Sequence, residues 1–163
     1  MTLRIDLPAD REPVAWVWGE AVPKIGPAAA RYSAAVYEYS TLSLGEFEAA
    51  RARTAQINRC GFCLDWRTER DGERVDEALY ARVEHWRDAD GLTDRERLSA
   101  EYAERFAVDH LGLDGDEDFW ARMRGAYTDN EVLELSMCIG SWIAFGRLNH
   151  VLGIDAACVL PAH

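Results

Sequence analysis

Two cysteines stand three positions apart, Cys60 and Cys63, in the stretch Arg59-Cys60-Gly61-Phe62-Cys63-Leu64-Asp65-Trp66-Arg67. C-x-x-C is the tightest common spacing at which two thiols can close a local disulfide or grip one metal. The surrounding pattern predicts a helix that begins near Gly61 and stops near Gly72. Free N–H groups and the positive dipole end at a helix start favour an anion. A thiolate placed there has a lowered pKa and a larger nucleophilic fraction at neutral pH. Arg59 adjoins Cys60 and Arg67 lies one turn beyond Cys63, so both could stabilise a thiolate further. A sulfenic acid made by peroxide on one sulfur can condense with the other to a disulfide. The chemistry would be that of a dithiol cycling between reduced and oxidised forms. Three other readings stay open at this point: core cysteines packed as small hydrophobes, half of a zinc site, or the relic of an ancestral site. A zinc site lacks its second C-x-x-C or H-x-x-x-H, and Cys138, Cys158, His150 or His163 would have to complete it from afar.

The elements that must position this pair read as helices. Ser43-Leu44-Gly45-Glu46 has the form of a capping box and opens a helix to about Asn58. Residues 27–39 show Tyr32, Val36 and Tyr39 on helical spacing, with Pro27 suited to a first turn. Residues 75–87 read as one helix or two short pieces. Thr93-Asp94-Arg95-Glu96 and Thr128-Asp129-Asn130-Glu131 are two further capping boxes, opening helices over about 94–108 and 129–152. Residues 111–115 between them read as a loop, and Asp116 to Tyr127 as a shorter helix. No stretch alternates with period two between hairpin turns. The expectation is an all-α, single-domain helical bundle over residues 1–163, with a core at about 30–155 and an N-terminal lead at 1–26.

Composition narrows the function classes. The chain has 163 residues and a net charge of −11, which disfavours nucleic acid and anionic membrane surfaces as partners. The N-terminus has no apolar h-region, and the longest apolar tract, Leu135 to Phe145, is too short to span a bilayer. A cytoplasmic location is expected, and in a reducing compartment C-x-x-C is redox-active or metal-binding more often than structural. There is no phosphate-binding Gly loop, so no cofactor is expected. Cys138 lies in the most apolar helix and reads as inert packing, while Trp16 and Trp18 are the expected subunit contact.

A larger set of residues, in order, resembles the carboxymuconolactone decarboxylase/alkylhydroperoxidase D-like family. It comprises Glu48 twelve residues before Cys60, the C-x-x-C itself, Ala55-Gln56-Ile57-Asn58, Asp94-Arg95-Glu96, and Gly146-Arg147-Leu148-Asn149. The resemblance covers roughly residues 30–155. It implies an all-helical fold assembled as dimers, trimers or hexamers, and a peroxidase-type dithiol. Cys63 would be peroxidatic and Cys60 resolving, Glu48 would belong to a proton relay, and a small hydroperoxide and a thiol reductant of unknown identity would be the partners. A decarboxylase-type lyase and a non-catalytic oligomeric relative are the alternatives. The family pattern has histidine where this chain has Arg67. Along a straight helix Glu48 would lie about 18 Å from Cys60. It reaches the thiols only if the chain turns before Cys60, and that return predicts a Glu48–Arg67 ion pair near Cys63. Arginine stays protonated and cannot shuttle a proton as histidine does.

Overall fold

The computed structural model describes residues 3–154. A short turn, α1 (Pro13–Ala15), runs into a five-residue π turn at Trp16–Glu20. It is followed by α2 (Ile25–Tyr39), α3 (Leu44–Asn58), α4 (Gly61–Asp65) and α5 (Ala78–Glu84). The second half contains α6 (Asp94–Val108), α7 (His110–Asp114), α8 (Glu117–Ala126) and α9 (Asp129–Leu152). Among the described residues there is no β-strand, only an isolated bridge between Arg70 and Glu73. The fold is all-α, as the periodicity and caps predict. No helix of the described residues is long and apolar enough to cross a membrane.

The helix α3 is the axis of the bundle. Phe47 and Ala50 look into one core with Leu98, Tyr102, Phe119, Leu135 and Ile139. Ala49 and Ala52 look into a second with Leu79, Val83, Trp86 and Ala100. A helix buried on two sides cannot keep the single apolar stripe of a surface helix. Small alanines let α6 and α9 approach closely, and the remaining face is left for Glu48 and Arg51, both buried as well.

The caps set the ends. Thr93 and Thr128 form full capping boxes with Glu96 and Glu131. At Ser43 only half of the box forms. Its side chain accepts from the Glu46 amide, but the Glu46 carboxylate is drawn away to Arg95. Arg95 also reaches Glu131 and the Ala126 carbonyl, so one guanidinium joins α3, α6, α8 and α9. Helix α3 ends at Arg59 in the left-handed region, φ 53°, and this turn reverses the chain before Cys60.

Two helical expectations are corrected. Residues 111–114 of the expected loop belong to the one-turn helix α7, which Trp120 ties down by donating its indole N–H to the Leu113 carbonyl. The helix after Cys60 ends at Asp65, not near Gly72. Its last carbonyls are capped by arginines. Arg51 takes those of Cys63 and Trp66, and Arg67 takes those of Leu64 and Trp66. These donors satisfy carbonyls that the end of α4 leaves without an intrahelical partner.

Asn58, at the end of α3, clasps α9. Its amide N–H donates to the Trp142 carbonyl at 2.9 Å, and its Oδ1 accepts from Arg147 Nε at 3.0 Å. Gly146 is required at this crossing, since a Cβ there would lie 2.5 Å from Asn58 Nδ2. Asn58→Ala removes the second donor to the Trp142 carbonyl and leaves part of the Arg147 guanidinium unpaired, and is expected to cost about 1–3 kcal/mol in urea unfolding. Gly146→Ala is expected to destabilise as well, because Asn58 must give way.

Candidate active site

Cys60 and Cys63 are joined in a disulfide, with Cα atoms 5.2 Å apart. The two sulfurs are placed differently. Cys60 is fully buried at the cap of α4, where its sulfur also receives the Cys63 amide at 3.3 Å. Cys63 lies on the wall of a cavity of about 660 Å³. That cavity is bounded by α2, α3, α9, the Cys63–Trp66 turn and the N-terminal π turn.

Glu48, on α3, has no exposure to solvent. Burying a carboxylate costs several kcal/mol unless it is paired and hydrogen-bonded. Four donors meet it: Arg51 Nε at 2.5 Å, Arg51 Nη2 at 2.8 Å, Thr68 Oγ1 at 2.6 Å and the Tyr80 hydroxyl at 2.7 Å. Arg51 and Glu48 meet because residues three apart on a helix share a face. The remaining Arg51 donors reach the carbonyls of Cys63 at 2.7 Å and Trp66 at 2.9 Å. The acid therefore holds the arginine, and the arginine holds the turn that carries Cys63. Burial raises the Tyr80 pKa, and the hydrogen bond to Glu48 raises it further, so the phenol keeps its proton at neutral pH.

The expected Glu48–Arg67 ion pair does not form. Arg67 turns outward, pairs with the exposed Glu77 at 2.8 Å, and stacks its guanidinium 3.9 Å from the centre of the Tyr80 ring. With α4 ending early, the chain leaves the helical path at Trp66, and Arg67 pairs with Glu77 instead of the acid. Arg51, not singled out from the sequence, takes the place next to Glu48. A charged residue three positions after a buried acid was a visible cue, but an Arg on a helix is normally solvated.

Other expectations are placed as follows. Arg59 is exposed and lies outside the cavity lining. Cys138 is a buried free thiol whose pKa burial pushes up to about 12, in keeping with inert packing. Arg147 ties α9 to Asn58 and to the Ala107 carbonyl. Trp18, expected at a subunit contact, packs edge-on against Phe145 of its own chain at 5.0 Å and lines the cavity. His85 and His110 are exposed. Cys158 and His163 lie outside the described residues. Among the described residues no group of three or more His, Cys, Asp or Glu side chains could hold a metal ion.

The two arginines predict opposite outcomes. Arg51→Met leaves Glu48 buried without its cation and is expected to cost about 3–5 kcal/mol in urea unfolding. The double variant Glu48→Gln/Arg51→Met is expected to recover part of that loss. Arg67→Ala removes a partner of an exposed carboxylate and is expected to stay within about 1 kcal/mol.

No protein-family model matches the chain. Over 114 residues it is 32% identical to YnjA, an uncharacterised protein of Escherichia coli (strain K12). The match takes in 68% of this chain and 61% of the length of that relative. Among solved structures it is similar to a protein of unknown function from Agrobacterium tumefaciens, described as a candidate antioxidant defence protein AhpD. The similarity has a TM-score of 0.69 at 19% identity, over 91% of this chain and 93% of that one. With its helical order and a cysteine pair beside the central helix, the chain has the alkylhydroperoxidase D-like fold.

Proposed function

We propose that the protein is a dithiol oxidoreductase that reduces hydroperoxides through Cys63 and Cys60. The observation that carries this reading is the asymmetry of the pair: Cys63 lies on a cavity wall, and Cys60 is sealed behind it and bonded to it. A peroxidatic sulfur must meet substrate, whereas a resolving sulfur need only meet its neighbour. The Cys63 thiolate attacks the terminal peroxide oxygen; an S–O bond forms, the O–O bond breaks, and the alkoxide leaves and takes up a proton. The Cys60 thiolate then attacks the Cys63 sulfenic sulfur; the S–S bond forms, the S–O bond breaks, and the hydroxide that leaves takes up a proton to give water. Hydroperoxide and two thiols become alcohol, water and disulfide, and an external dithiol returns the two electrons.

Glu48 and Arg51 are positioning residues in this scheme. They fix the carbonyls of Cys63 and Trp66, and with them the direction of the Cys63 side chain. The Glu48 carboxylate is taken up by four donors, and Arg67 pairs with Glu77 rather than with it. The proton for the alkoxide then comes from solvent admitted by the cavity, which predicts slower turnover than in a protein with a histidine relay.

The test is a thiol count coupled to peroxide consumption. Reduced protein treated with one equivalent of hydroperoxide is expected to lose two thiols, mapped to Cys60 and Cys63, while Cys138 resists alkylation in the native state. Cys63→Ser is expected to abolish consumption. Cys60→Ser is expected to leave a single burst and a sulfenic acid on Cys63. Undiminished consumption by Cys63→Ser would sink the reading.

A further inference from the structure

The cavity in front of Cys63 is built for more than a peroxide group. Six rings line it: Trp18, Tyr37, Phe62, Trp66, Trp142 and Phe145. They fall into two groups of touching rings. Trp18 meets Phe145 at 5.0 Å, Tyr37 meets Trp66 at 5.9 Å and Trp142 at 6.5 Å, and Phe62 meets Trp66 at 5.8 Å. A volume of about 660 Å³ falls in the range of sites that enclose small organic molecules. It is many times the share of a water molecule, about 30 Å³.

The charges on the lining point the same way. Among the described residues Glu38 and Arg51 are its charged members. Arg51 is committed to Glu48 and to two backbone carbonyls, so it offers no free counter-charge. Glu38 is exposed at the rim. An anionic ligand would lose its hydration, gain no cation and pass a carboxylate.

The rim is completed by the N-terminal segment. Gly26 permits this, because a Cβ there would stand 3.0 Å from the Trp18 carbonyl oxygen. The backbone of the π turn thus rests on the start of α2, and the Trp18 indole is brought over to Phe145.

We propose that this cavity is a binding pocket for an uncharged, ring-bearing molecule, and that Trp18 closes its outer wall. Resting on the dithiol reading above, the preferred substrate is a neutral aryl-substituted hydroperoxide. Hydroperoxides carrying a carboxylate are rejected, and hydrogen peroxide, too small to use the rings, gains nothing from them. The electron balance is that of the proposed reaction, with an aryl-substituted alcohol as product.

Binding and turnover are measured separately. Calorimetric titration of the oxidised protein with 2-phenyl-2-propanol, the unreactive alcohol, is expected to show one site. 2-Phenylpropanoate, a carboxylate of similar size, is expected to bind at least tenfold more weakly. Trp18→Ala is expected to weaken the alcohol at least fivefold, and Ala30→Leu, which fills the pocket, is expected to do likewise; both are checked for native circular dichroism. With reduced protein, cumene hydroperoxide is expected to exceed hydrogen peroxide in kcat/KM by tenfold or more, and Trp18→Ala to narrow that ratio by raising KM. No alcohol binding, or equal binding of alcohol and carboxylate, overturns the pocket. Alcohol affinity unchanged in Trp18→Ala overturns the role of Trp18. Alcohol binding without any thiol-dependent peroxide consumption leaves the pocket standing and overturns the dithiol reading instead.

Discussion

The buried pairing of Glu48 with Arg51 is the constraint on which the site depends. A carboxylate with no access to water is tolerated only when its lone pairs are met, and here four donors from three segments meet them. Arg51 belongs to the same helix, Thr68 to the chain after the cysteine turn, and Tyr80 to α5. The acid thus gathers the segments around it. Its arginine passes the constraint on to the carbonyls of Cys63 and Trp66. Replacing such a pair by apolar residues can be neutral for stability. What those residues could not do is grip the backbone of the cysteine turn in one orientation.

The fold around this pair divides the labour. Two apolar clusters flank α3 and supply the burial, while polar anchors set the register between helices. Arg95 joins four helices at one end of the bundle, and Asn58 with Arg147 joins three near the cysteines. Each anchor is a long or forked side chain aimed at carbonyls or carboxylates. Such groups have definite geometry and fix the angle and distance at which the apolar faces meet.

Much of the helical layout was legible in the chain itself. Thr93 and Thr128 each precede a glutamate by three residues, and both open helices where expected. The left-handed turn at Arg59 reverses the chain before Cys60, and the acid twelve residues earlier is linked to the cysteine turn through Arg51. The identity of the acid's partner was not legible. Arg67 and Arg51 are both within reach in sequence, and the choice is made by where α4 ends. The carbonyls at that end are taken up by Arg51 and Arg67, and Arg51 reaches them from another helix, which leaves no local signature. The half-formed box at Ser43 has the same origin, since Glu46 had a better partner in another helix. The brief helix α7 is held by Trp120, whose indole is distant enough in sequence to leave no periodic trace.

For the proposed dithiol reaction, the burial of Cys60 has a consequence for the return of electrons. A thiolate opens a disulfide by attacking in line with the S–S bond, and the sulfur it attacks must be reachable. Cys60 is closed off, so an incoming reductant meets Cys63 and becomes covalently linked there as a mixed disulfide, with Cys60 as the leaving group. In that proposed reaction oxidant and reductant would share one doorway. The aromatic mouth that would admit a substrate would also limit the reductant to one that offers its sulfur on a slender, protruding tip.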